Sequence, residues 1–193
     1  MRLFVVALLA AAGCASQRIP ADVVEIARTV QPGGAFVLEM ADDGTVYAAE
    51  AQIGLDAVPA ACRDAAKKME PNGEFLEAEK ELAGGRLYYE VVVKTAGRRI
   101  ELLMNPDGTL AGREDALPPE EIPAGIADAG LKAAGGGELV VVERVTGPEA
   151  QTGESFHVKV KTASGEVLRV SVREDGSVVR TMRKMKAEVR VHR

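Results

Sequence analysis

The chain has 193 residues, a net charge of −5, and 27% charged against 47% hydrophobic residues, the balance of an ordinary folded protein rather than a disordered or fibrous one. Its aromatic content is 4% with no Trp, which argues against a platform for stacking bases or sugars. One of its two Cys lies in an N-terminal apolar run, so the remainder has no internal disulfide and must fold by packing alone.

Met1–Cys14, MRLFVVALLAAAGC, places one Arg before about ten apolar residues and then small ones. That is the pattern of a secretory signal. The run is too short for a transmembrane helix, which needs about 20 apolar residues. Ala11-Ala12-Gly13-Cys14 resembles the bacterial lipoprotein box, with Ala11 where that box usually has Leu. The resemblance implies lipidation of Cys14. Ala15 and Ser16 carry no acidic retention signal, which by the same resemblance implies a periplasmic or cell-surface protein anchored in the outer membrane.

Residues 15–54 read as a tether followed by a truncated helix-hairpin unit. Val23, Ile26, Ala27 and Val30 fall on one helical face. Two strands then flank Asp42-Asp43-Gly44. Residues 55–117 form a fuller unit. Pro59 opens a helix whose Val58, Cys62, Ala65, Ala66 and Met69 face one way. From Glu74 to Arg113, apolar residues alternate between Gly-containing turns and predict four antiparallel strands. Leu87, Tyr89, Val91 and Val93 make the packed row; Tyr88, Glu90, Val92 and Lys94 are assigned to the solvent side. Residues 118–185 repeat the arrangement, with a helix over Ala124–Ala134 weakened by Gly125 and Gly130. A basic tail occupies 186–193.

The units are related in sequence. Tyr89-x-Val91-x-Val93-Lys94-Thr95-Ala96 matches Phe156-x-Val158-x-Val160-Lys161-Thr162-Ala163, and Asp107-Gly108 matches both Asp43-Gly44 and Asp175-Gly176. Ordered matches across a helix and several strands imply duplication of a supersecondary unit. The expected fold is therefore α+β: tandem units of one helix packed on a four-stranded antiparallel meander sheet, preceded by the truncated unit. Glu77-Ala78-Glu79-Lys80-Glu81, Tyr89-Glu90-Val91, Lys94 and Pro106-Asp107-Gly108 carry a resemblance to the PepSY-like, beta-lactamase-inhibitor-protein-like group. Some of that group inhibit proteins, but no inhibitory loop residues can be matched onto this chain.

Catalytic, cofactor and metal residues are not expected. Cys62 reads as a small core residue. His157 alternates with apolar neighbours and is assigned to a solvated strand face, and His192 lies next to the C-terminus. With no His pair at helical spacing and one remaining Cys, zinc ligation is not expected. The Asp-Gly segments are too short for calcium loops, and no phosphate-binding loop or Gly-x-Ser-x-Gly elbow occurs.

Charge is the remaining signal. Phe156–Arg193 holds ten Lys/Arg and four acids, net +6, so the rest of this −5 chain carries −11. His157, Lys159, Lys161, Arg169 and Arg173 share one strand parity and predict a solvent-facing basic sheet, which either meets anionic lipid, an acidic partner protein or the acidic half of a second copy, or simply keeps a strand face soluble and unaggregated. The function expected is a non-enzymatic binding or regulatory module of the envelope with a protein partner. The alternative is a structural or assembly lipoprotein. A nucleic-acid partner and a small-molecule cofactor are not expected.

Overall fold

The chain is described here from a computed structural model covering residues 20–148 and 153–187. The signal segment, Cys14, residues 188–193 of the tail and His192 lie outside the described residues. Among the described residues, three short α-helices form where small and apolar residues recur at helical spacing: α1 (Ala21–Ala27), α2 (Ala60–Met69) and α3 (Ile126–Ala133). Ten strands follow the alternating stretches. They are β1 (Phe36–Met40), β2 (Val46–Ile53), β3 (Glu74–Ala83), β4 (Arg86–Thr95), β5 (Arg98–Met104), β6 (Leu110–Ala116), β7 (Glu138–Thr146), β8 (Phe156–Lys161), β9 (Val167–Val172) and β10 (Val178–Lys186).

The strands do not form separate four-stranded sheets. All ten join in one closed antiparallel barrel in chain order, with β10 returning to pair with β1. The expected α+β arrangement of tandem helix-on-sheet units is therefore incorrect at the level of fold. Three junctions convert the pieces into one body. β2 pairs with β3 from Ala48↔Ala83 to Ile53↔Ala78. β6 pairs with β7 from Arg113↔Thr146 to Ala116↔Glu143, and β1 pairs with β10 from Val37↔Lys186 to Met40↔Arg183. The short first unit supplies two strands and the fuller ones four each, which together complete the circle. Closure removes the exposed edges that an open meander would leave.

The apolar parity faces outward, where the helices cover it. Val23, Ile26 and Ala27 of α1 pack with Phe36, Leu38, Met40, Ala49 and Ala51. Cys62 and Ala66 of α2 pack with Val91, Val93, Ile100, Leu102 and Met104. Ile126 of α3 packs with Val142, Phe156, Val158, Val160, Val170 and Val172. Small residues bring the helices close to the strands. At Gly130 an added Cβ would lie 2.4 Å from Val158, so this glycine marks a tight contact rather than merely a weak helix. Cys62 is buried, and its thiol donates to the Asn105 carbonyl at 3.2 Å.

The Asp-Gly turns share one geometry. Asp43, Asp107 and Asp175 each accept from the backbone N–H two residues on, at 2.9 Å in all three turns. Gly44, Gly108 and Gly176 each have φ between 81° and 87°. The strand after each turn then carries one extra residue that shifts the pairing register: Tyr47, Ala111 and Val179. Such bulges sharpen the twist that closing a sheet requires.

Candidate functional site: the charged barrel interior

With the apolar rows turned outward, the opposite parity lines the barrel. Each of the first seven strands contributes an inward glutamate: Glu39, Glu50, Glu79, Glu90, Glu101, Glu114 and Glu143 in order from β1 to β7. The next three contribute the cations: His157 and Lys159 from β8, Arg169 from β9, and Arg180 and Lys184 from β10. Glu154, just before β8, joins them from the β7–β8 connection.

Ion pairs span this interior. Arg169 reaches Glu39 at 2.5 Å. Lys184 lies 3.1 Å from both Glu39 and Glu50. Lys159 contacts Glu143 at 2.9 Å and Glu101, on a strand that is not its neighbour, at 3.5 Å. His157 is clamped between two carboxylates: Nδ1 lies 3.0 Å from Glu114 and Nε2 3.0 Å from Glu154. Arg180 pairs with the far oxygen of Glu154. Glu39, Glu143, Glu154 and His157 are each no more than 2% exposed.

The acids outnumber the cations, and their protonation tendencies divide accordingly. Burial disfavours the Glu39 anion, but Arg169 and Lys184 more than compensate and hold its carboxyl at about 2. Glu114 is likewise held well below the usual range, with His157 as its main counter-charge against burial. The crowded acids move the other way. Burial raises Glu50 to about 7, only partly offset by Lys184. Burial and repulsion from Glu101 and Glu114 raise Glu143 to about 8 against the pull of Lys159. Glu90 rises well above the carboxylate range through burial and repulsion from Glu101 and Glu79. Burial opposes the charge on His157, but Glu114 outweighs it and lifts the imidazole to about 9. Protons on crowded carboxyls thus make up part of the missing positive charge.

The predicted basic face is not a solvent surface. His157, Lys159 and Arg169 point into the barrel, where carboxylates surround them. Lys161 and Arg173 are exposed, but they lie at opposite ends of the β8–β9 hairpin, since Lys161 pairs with Val167 while Arg173 follows Val172 at the other end. The −11 remainder of the chain therefore supplies the acidic complement within the same molecule. Sequence reasoning missed the glutamate series because inward and water-facing parities look alike in one strand. The available signal was the recurrence of a mid-strand Glu, at Glu39, Glu90 and Glu101, between apolar residues.

Glu114, Glu143 and His157 form a buried group whose potential ligating atoms all lie within 4.8 Å of one another. They come from three adjacent strands and have no short sequence spacing, so a search for paired ligands along a helix cannot find them.

No family model matches the chain, and no curated protein matches it. Several solved structures are similar to it. A DUF2874 family protein from Bacteroides uniformis is 18% identical over 65% of this chain and 88% of that one, with a TM-score of 0.48. A protein from Bacteroides eggerthii named for a periplasmic location is 18% identical over 65% and 88%, with a TM-score of 0.49. A BLIP-like protein from Bacteroides fragilis is 19% identical over 70% and 92%, with a TM-score of 0.46. At these scores the similarity is a likeness to those proteins and goes no further.

Proposed function

We propose that the chain is an exported, non-enzymatic binding or regulatory module of the cell envelope, tethered through a lipid on Cys14 and directed at a protein partner. The observation that carries this reading is the commitment of the interior charges to one another. Carboxylates and an imidazole that elsewhere do acid–base work here bridge strands across the barrel. The surface left to act is the outer one, with its turns and strand ends. The apolar leader ending in Ala11-Ala12-Gly13-Cys14 supports export and anchoring to the outer membrane, with the barrel in the periplasm or at the cell surface. The likeness of the repeated strand-and-turn motifs to PepSY-like and inhibitor-like proteins supports a protein partner, and inhibition of that partner is the sharpest form of the proposal.

Two measurements on the full chain test it. Mass spectrometry of the mature protein is expected to find a diacylglyceryl-modified Cys14 at the N-terminus; an unmodified terminus elsewhere removes the anchor. Cross-linking in intact envelopes is expected to trap one protein partner in stoichiometric amount. Fractionation with wall or membrane and no such partner favours the structural or assembly lipoprotein instead.

A further inference from the structure

We propose that the barrel interior holds one first-row divalent metal ion of the zinc class, ligated by His157 Nδ1, Glu114 and Glu143. This goes beyond the reading of the chain as a binding module and does not depend on it. The three ligating atoms lie within 4.8 Å of one another, and all three residues are buried. Zinc–nitrogen and zinc–oxygen bonds of about 2.0–2.2 Å place tetrahedral ligands about 3.4 Å apart, so the widest separation in the group needs to contract by at most about 1.4 Å. Glu114 Oε1 already lies 3.0 Å from Nδ1.

The rest of the histidine's surroundings point the same way. Nε2 faces Glu154 at 3.0 Å, and Glu154 is itself fixed by Arg180. A carboxylate on the second ring nitrogen is the usual support of a metal-bound histidine, because it fixes the tautomer that leaves the other nitrogen free to ligate. Nδ1 is fully buried and close to Glu114, yet it makes no hydrogen bond of acceptable geometry. Glu114 Oε2 is also without a hydrogen-bond partner. Buried polar atoms left unsatisfied are costly, and a metal ion between them satisfies both.

The two nearest cations do not block the site. Lys159 touches Glu143 but also has Glu101, and Arg169 lies 4.0 Å from Glu114 while its closer partner is Glu39. The surplus of interior acids lets both keep a counter-charge when the metal takes Glu114 and Glu143. The charge balances: the ion's two charges replace two protons, one on His157 Nδ1 and one on Glu143, and both leave to solvent. A water completes the coordination, as in sites with three protein ligands.

Zinc is the probe, added to the full chain both as the folded protein and during refolding, so that slow entry into the barrel does not mask binding. One equivalent is expected by elemental analysis after dialysis. Glu143→Gln and His157→Gln are each expected to weaken binding by more than tenfold, and Glu154→Gln by about 10- to 100-fold through loss of ring support. Because these residues also hold the barrel together, a second readout uses the native ligand set. The chain has two histidines, so His192→Ala leaves His157 as the sole imidazole in a nitrogen-15 NMR spectrum. Stoichiometric zinc is expected to shift its Nδ1 resonance. No retention of zinc after refolding at about 1 mM, binding unchanged in folded Glu143→Gln, or an unmoved His157 resonance each overturns the site.

Discussion

Replacing Arg169 with Leu tests whether the interior charges stabilise the barrel or merely occupy it. Arg169 has a side chain 13% exposed and lies 2.5 Å from Glu39, whose own side chain is 1% exposed. Removing one member of a buried pair costs about 3–5 kcal/mol, most of it the burden of an uncompensated buried charge. Here Glu39 keeps Lys184 at 3.1 Å, which places the expected cost of Arg169→Leu near the lower end, about 3 kcal/mol. For a chain of this length that corresponds to a fall in Tm of about 6–12 °C. The orphaned charge can then be removed separately. Adding Glu39→Gln to Arg169→Leu is expected to recover at least about 1 kcal/mol, because a neutral amide leaves less to desolvate. Thermal and urea unfolding of the wild type, both single variants and the double variant give the four corners of the cycle. Arg169→Leu within about 0.5 kcal/mol of wild type, the range typical of surface changes, refutes the reasoning. Strictly additive losses in the double variant refute it as well.

Stability should also depend on pH with a definite sign. Glu50 and Glu143 have folded pKa values raised to about 7 and 8, so the stability they confer is complete below about 4.5 and is lost as pH climbs through those values. His157, raised to about 9, adds a loss between about 6.5 and 9. Glu39, lowered to about 2, acts oppositely and weakens the fold only as pH falls from about 4.5 toward 2. Each group contributes up to about 1.4 kcal/mol per pH unit within its window, so the Tm is expected to peak near pH 5 and decline toward pH 9. A Tm that rises from pH 5 to 9 in calorimetry contradicts the assignment. Gly130→Ala inserts a methyl 2.4 Å from Val158 under α3, and overpacking of this kind costs about 1–3 kcal/mol. A variant more stable than wild type, as helix propensity alone predicts, shows that α3 sits further from β8.

Much of the local structure could be read from sequence. The outward rows, with Val91, Val93 and Leu102 under α2 and Val158, Val160 and Val170 under α3, are the residues that alternation selected, although they face helices outside a barrel. Cys62 occupies the packed helix face expected of it. Closure could not be read from one strand at a time. A strand such as Arg86–Thr95 has the same pattern whether Glu90 faces water or the interior of a barrel. Only the distribution of charge along the chain separates the two cases, because β1–β7 bring carboxylates and β8–β10 bring their counter-charges. Strand parity therefore groups His157, Lys159 and Arg169 together but does not tell a water-facing row from one inside a barrel. Gly130 was similarly visible as a weak point in a helix, while the reason for it lies on a strand 28 residues later.

The most direct test of a closed barrel with its charges inside is the reactivity of individual lysines toward a water-soluble acylating reagent, read by peptide mass spectrometry. Lys159 and Lys184 point inward, paired with Glu39, Glu50, Glu101 and Glu143 and with side chains only 15% and 24% exposed, whereas Lys67, Lys68, Lys94 and Lys161 are exposed. Labelling at Lys159 and Lys184 is expected to be far slower than at the other four and to match them only after unfolding. Equal labelling of all six in the folded protein contradicts the barrel.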